Sequence, residues 1–167
     1  QPYPSKAPSD VLAAINDSFD QVYAWDASGG HVSSGHWMSF DNVELTTDTL
    51  TELDETLGFW INITAGEDQT LSLKGFMPDQ TSIDLISAAD GWNLVGFPSA
   101  LTSEPVDSFS GVSQLSRVFA YEATDGSSPW KLYEPGTPDY LNDLTTMETG
   151  YGYWVLVTGD DSWDVNY

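Results

Sequence analysis

Apolar and polar side chains alternate through most of the chain, and the alternation predicts strands. Between residues 21 and 26, Val22 and Ala24 lie on one side and Tyr23 and Trp25 on the other, the period of two that marks a half-buried strand. Residues 36–40 read as its return strand across the turn Ala27-Ser28-Gly29-Gly30. Further strands are predicted at 59–64, at 70–76 (Leu71, Leu73 and Gly75 on one side), at 82–87 and at 91–98. Pro98 ends the last of these because it has no N–H for a ladder. Strands at 117–122, 130–133, 150–158 and 160–167 follow. Helical spacing is confined to short stretches. Ser9 reads as an N-cap with Asp10 in the first turn and Val11, Leu12 and Ile15 on one face. Leu50, Leu53 and Leu57 predict one or two turns within 46–56, residues 112–116 another short helix, and Leu141, Leu144 and Met147 repeat the three-residue spacing. Residues 2–8 form a Pro-rich extended lead. The expected fold is mainly β, antiparallel, with short helical turns, and sandwich- or barrel-like.

The pattern occurs twice. Gly58-Phe59-Trp60-Ile61-Asn62-Ile63-Thr64 returns as Gly152-Tyr153-Trp154-Val155-Leu156-Val157-Thr158, at an offset of 94 residues. Val22-Tyr23-Ala24-Trp25-Asp26 returns as Val118-Phe119-Ala120-Tyr121-Glu122, at an offset of 96. Trp130 falls at the place of Trp37. Self-similarity at a nearly fixed offset points to a stacked module rather than to one catalytic centre. It divides the chain into a first unit, 1–89, and a second, 90–167. The second unit owns an opening strand, Gly91-Trp92-Asn93-Leu94-Val95-Gly96-Phe97-Pro98, for which the first shows no counterpart. A sheet short of a strand leaves unpaired N–H and C=O groups. The final strand, with Trp163, Val165 and Tyr167, is expected to fill or extend that edge, within the molecule or by strand addition to a neighbour.

Charge narrows the partners. Four Lys and Arg stand against 26 Asp and Glu, a net −22. Nucleic-acid binding needs a basic footprint, and an anionic membrane repels such a chain. There is no cysteine, which excludes disulfides, thiolate metal sites and thiol catalysis. No apolar run reaches the length of a membrane span. Asn16-Asp17-Ser18 and Asn62-Ile63-Thr64 are acceptor sequons and make Asn16 and Asn62 glycosylation candidates on an extracellular chain. Beginning without Met, the chain reads as processed or excised.

Candidate chemistry is thin. His31 and His36 with Asp26 and Asp41 could supply two imidazoles and a carboxylate to a transition metal. Their five-residue spacing suits neither a helix face nor a short knuckle, so loop histidines are the favoured reading and no metal ligands are assigned. Among 26 acids some pair meets any glycosidase separation by chance; only Glu134 and Asp26 sit in apolar settings. No Gly-x-Ser-x-Gly elbow accompanies the serines. No catalytic residue is assigned. Calcium is the one cofactor left open, at the acidic turns Glu67-Asp68-Gln69 and Asp160-Asp161-Ser162-Trp163-Asp164, although solvated turns explain them more simply. Seven Trp remain. Four pair off between the repeats (Trp37 with Trp130, Trp60 with Trp154), so core packing explains them. Trp25 and Trp163 lack a Trp counterpart, and are the candidate ligand-stacking rings.

Taken with Trp130-Lys131-Leu132-Tyr133 and Gly150-Tyr151-Gly152-Tyr153-Trp154, the opening strand of the second unit resembles repeats of many archaeal and bacterial secreted and cell-surface, surface-layer-like proteins. These run Gly-Trp-Asn-Leu and a Pro, then a Trp-x-Tyr return strand, here one residue longer, then Gly-x-Gly-Tyr-Trp. The resemblance covers nearly all of 91–158, and 10–64 less closely, where Gly58-Phe59-Trp60 replaces the aromatic signature. It implies an extracellular, multi-repeat architecture and no catalytic residues. The expectation is a non-enzymatic structural module of a cell-surface layer, sheath or filament, partnered by itself or by other surface subunits. The alternative is a carbohydrate-binding or adhesion module that uses exposed aromatics on glycans.

Overall fold

A computed structural model describes residues 5–29, 36–44, 48–75, 78–88 and 90–167. Nine strands are present among them, in three antiparallel sheets. Strands β1 (Phe19–Trp25), β2 (Trp37–Asp41) and β3 (Phe59–Ile63) form the first, in the order β2-β1-β3. Strands β4 (Gln80–Leu85) and β9 (Asp161–Asn166) pair alone. Strands β5 (Trp92–Gly96), β6 (Leu115–Tyr121), β7 (Trp130–Tyr133) and β8 (Gly152–Val157) form the third, in the order β5-β8-β6-β7. The molecule is a mainly β, sandwich-like protein, as the alternation predicts.

The repeat extends to backbone detail. Tyr23 faces Trp60 as Phe119 faces Trp154, and both central strands carry a bulge at the same place, between Phe19 and Gln21 and between Leu115 and Arg117. Each unit carries a single helical turn ahead of its central strand, α1 (Pro8–Val11) before β1 and α2 (Pro105–Ser108) before β6, with Pro at its start. Proline there presets φ and loses no needed N–H. This corrects two expectations: Ala7, not Ser9, is the cap residue of α1, and the helix of the second unit is α2, not 112–116, whose residues lead into β6. The leucine spacings are likewise not helical. Leu50 and Leu53, and their counterparts Leu144 and Met147, are buried from extended chain. Leu50 and Leu144 donate to the carbonyls of Ser39 and Leu132, and Leu53 and Met147 to those of Lys6 and Ser103. A three-residue apolar spacing also fits a segment pinned at both ends by tertiary hydrogen bonds.

Two apolar cores result. The first gathers Leu12, Ile15, Phe19, Val22, Ala24, Phe40, Leu50 and Leu53. The second is larger, centred on Val118, Tyr153, Val155 and Trp163, and it also takes Ile83 and Leu85 from β4. In packing terms the division falls before β4 rather than at residue 89. The final strand pairs with β4 over six positions, from Gln80 opposite Asn166 to Leu85 opposite Asp161. It therefore does not lie along the first sheet.

Residues 70–75 form no strand; Phe76 lies outside the described residues. The reason is visible in the second unit. There the corresponding segment becomes β9 only because β4 pairs with it. Among the described residues the first unit has no counterpart of β4, and Leu73 stays exposed.

An aromatic cleft at the repeat seam as candidate functional site

The two units meet where strand β5 passes between them. Leu57 faces Val95, the N–H of Gly58 donates to the carbonyl of Leu94 at 3.2 Å, and that of Gly96 to the carbonyl of Thr56 at 2.9 Å. Gly58 and its counterpart Gly152 touch across the seam. A Cβ on Gly58 would lie 2.7 Å from the carbonyl oxygen of Val95, and one on Gly152 3.4 Å from the Cα of Gly58. At position 58 only glycine permits so close an approach; at 152 a Cβ would just reach van der Waals contact.

Close approach brings the aromatic residues of the two units into one cluster, built by exchange. Trp154 of the second unit packs on Trp25 and Trp37 of the first, with ring centroids 5.6 and 5.7 Å apart. Its counterpart Trp60 packs on Tyr121 and Trp130 of the second, at 5.0 and 5.8 Å. Trp25 lies 5.2 Å from Trp37 as Tyr121 lies 5.1 Å from Trp130. Tyr23 meets Trp37 at 6.5 Å and 88° as Phe119 meets Trp130 at 6.4 Å and 88°. Each unit thus presents a paired ring corner, and the signature Trp of the other unit closes it. Edge-to-face pairs of this kind add about 0.5–1.5 kcal/mol each beyond area burial.

Above the cluster the rings wall two open pockets. One, of about 400 Å³, is lined by Trp25, Trp92, Phe119, Trp130 and Trp154. The other, of about 710 Å³, is lined by Tyr23, Trp37, Trp60, Trp130 and Trp154. Trp92, 6.0 Å from Phe119 and 6.2 Å from Trp154, forms one wall of the smaller; in the larger, no described residue stands beside Tyr23 and Trp60 as Trp92 does beside their counterparts. Trp37 and Trp130 are each 45% exposed.

No family model, curated protein or solved structure matches this chain. The surface itself has to carry the functional argument.

Trp25 lines the cleft, where its Nε1–H donates to the carbonyl of Trp92 at 2.9 Å. Trp163 does not. It is 1% exposed, stacked on Phe109 at 4.3 Å and on Phe97 at 6.0 Å, and its Nε1–H donates to the carbonyl of Ser108 at 2.8 Å. Of the two rings expected to meet a ligand, Trp25 stands at the cleft and Trp163 does not. The four repeat-paired rings are half-buried or exposed in the cleft, and the unpaired Trp163 is core. Sequence symmetry shows that two residues share an environment, not that the environment is dry. Of the other residues assigned to assembly, Val165 is buried in the second core, and the Tyr167 hydroxyl lies 2.6 Å from Thr81 Oγ1. One edge of β9 is committed within its own chain.

Asn16 and Asn62 are exposed. Asn62 Nδ2 donates to Asp20 Oδ1 at 2.7 Å, and the carbonyl of Asn16 accepts from Asn42 Nδ2 at 2.6 Å. His31 lies outside the described residues. His36 rests against Trp25 at 4.9 Å, with Nδ1 2.9 Å from the carbonyl oxygen of Asp26. Among the described residues no three His, Asp or Glu side chains gather as a metal site. The acidic turn at 160–161 holds backbone. Asp161 accepts the N–H groups of Gln114 and Ser162, and Asp160 that of Ser87; both carboxyls are held below their usual range by these bonds. Asp41, capped by Glu44 and Val43 N–H groups, behaves alike.

Lys131 bonds Asp125 at 2.7 Å, Lys6 bonds Asp54 at 3.0 Å and Arg117 pairs with Glu134 at 3.4 Å. Among the described residues no helix is long and apolar enough to cross a membrane. A cleft walled by ring carbon can bind flat or apolar groups.

Proposed function

We propose that this chain is a non-enzymatic extracellular structural module, a repeat pair from a cell-surface layer, sheath or filament. One observation carries the reading: each unit's aromatic corner is closed by the other unit's signature Trp. That is how repeat proteins gain stability, since a unit that cannot bury its own surface is completed by its neighbour. The resemblance to secreted and surface repeats, the charge of −22 and the sequons support the same setting. Electron microscopy of native material labelled with antibody against this chain tests it. Periodic surface arrays or filaments are expected; label confined to the cell interior would sink the reading.

A second reading rests on the exposure of Trp37 and Trp130. Rings standing free at the mouth of a cleft suit stacking on pyranose faces, so the module would be an adhesin for glycans. Glycan-array binding that is lost in Trp37→Ala and Trp130→Ala, while both variants stay folded at the assay temperature, would favour it over the structural role.

A further inference from the structure

The second unit shows how its outer strand is covered, and among the described residues nothing covers most of the same strand in the first unit. On β8, Val157 N–H donates to the carbonyl of Gly91 at 2.9 Å, and Val155 and Tyr153 face Asn93 and Val95 of β5. Antiparallel alternation turns the backbone groups of 153, 155 and 157 toward β5. Their counterparts on β3 are Phe59, Ile61 and Ile63. Thr64 N–H donates to Ser18 on the β1 side at 2.8 Å, so by the same alternation Ile61 and Ile63 point their N–H and C=O groups away from β1. Strand β5 reaches only the start of this edge, at Leu57 and Gly58. Among the described residues no backbone group pairs with Ile61 or Ile63 on that side. Side chains tell the same story: Ile63 is 39% exposed where Val157 is 3% exposed.

The pocket beside this edge is the second observation. The pockets are related by the repeat: Phe119, Trp130 and Trp154 wall one, and their counterparts Tyr23, Trp37 and Trp60 wall the other. The first holds the indole of Trp92 on its wall and measures about 400 Å³; the second has no such residue among the described ones and measures about 710 Å³. Edge and pocket adjoin, because Trp60 belongs to β3. They match the two things β5 supplies to the second unit: a backbone ladder, and a Trp on the cleft face between residues that face the core.

We propose that the outer edge of β3 and the pocket of Tyr23, Trp37 and Trp60 together receive an added strand with the pattern Gly-Trp-Asn-Leu-x-Gly of Gly91 to Gly96. Its Gly and Asn positions face Ile63 and Ile61, and its Trp enters the pocket. The chemistry is β-strand addition, in which main-chain bonds give affinity and alternate side chains in pockets give specificity. The inference rests on the structural-module reading and names the strand that completes that module.

The test uses the whole chain and a fluorescein-labelled synthetic peptide of residues 90–99, titrated by anisotropy. Saturable one-to-one binding is expected. Replacing the peptide's Trp by Ala, or N-methylating it at the Asn93 position, should weaken binding about tenfold or more, while N-methylation at the Leu94 position, whose N–H faces away from β3, should change it less than about threefold. These peptide changes leave the protein's own fold untouched. In the protein, Ile63→Pro removes one outward N–H and should abolish binding without shifting the melting curve. No saturable binding up to about 1 mM, or binding indifferent to the position of the N-methyl group, overturns the proposal. Oligomers of the chain alone that the peptide dissolves would support it and make a second copy the donor. Native arrays that form while the peptide fails to bind would overturn the strand site and leave the module reading standing. Peptide binding by a chain found unassembled in native material would do the reverse.

Discussion

At the scale of single residues, the two tryptophan environments should separate in denaturation experiments. Trp163→Ala removes a fully buried ring stacked between Phe97 and Phe109, and such truncations cost roughly 3–5 kcal/mol. Trp37→Ala removes a ring that is half in water but edge-packed on Tyr23, Trp25 and Trp154, and should cost less, about 2 kcal/mol. Equal losses in urea midpoint would contradict the placement. Tyr153 offers a second check. Its hydroxyl accepts the N–H of Glu148 at 2.8 Å, and burial pushes its pKa up to about 12. A raised folded-state pKa favours the neutral phenol in the native state. This contribution is complete below pH 10 and is lost as pH rises from 10 towards 12. Tyr153→Phe should cost about 1 kcal/mol at pH 7 and should lack the wild-type decline above pH 10.

Among elements, the turns rather than the strands hold the acid sensitivity. Asp161 fastens the start of β9 to Gln114, just before β6, and Asp160 fastens the end of β8 to Ser87. Both pKa values lie below the ordinary 3.8. A depressed pKa gives stability that is present above the unfolded value and lost as pH falls through the folded one. Stability should therefore hold down to about pH 4 and fall below it. Asp161→Asn should flatten that acid limb in urea melts between pH 2 and 6; an unchanged limb would show that other carboxylates set it. Element prediction from sequence failed where the partner decided the outcome. Residues 70–75 alternate as well as β9 does, but a strand needs a neighbour for its hydrogen bonds, and among the described residues β9 has one in β4 while 70–75 has none.

For the whole molecule, the exchanged tryptophans predict coupling between units. Trp154→Ala should lower amide protection in β1 as well as in β8, since the ring closes the Trp25–Trp37 corner. Loss confined to β8 and its sheet, measured by hydrogen exchange, would show that the units are energetically separate. The charge of −22 acts on the molecule as a body: self-repulsion opposes compactness, and salt screens it. The melting temperature should rise between dilute buffer and molar sodium chloride. A flat response would mean that the turn carboxylates are neutralised well enough by backbone N–H groups for the remainder not to matter.

The sequence by itself determined the strands of the two repeats, their correspondence at offsets of 94 and 96 residues, and the absence of thiol chemistry. Those follow from local periodicity and residue identity, which no folding partner changes. The glycines at 58 and 152 were legible as part of the repeat, but not as the point where two backbones touch. Only tertiary structure decided that Trp163 is core while Trp37 and Trp130 face water. It alone decided that the last strand joins β4 instead of the first sheet, and that Leu50, Leu53, Leu144 and Met147 are buried from extended chain. Each of these depends on what lies across a space from a residue, and alternation along a chain records which face a side chain takes but not what covers that face.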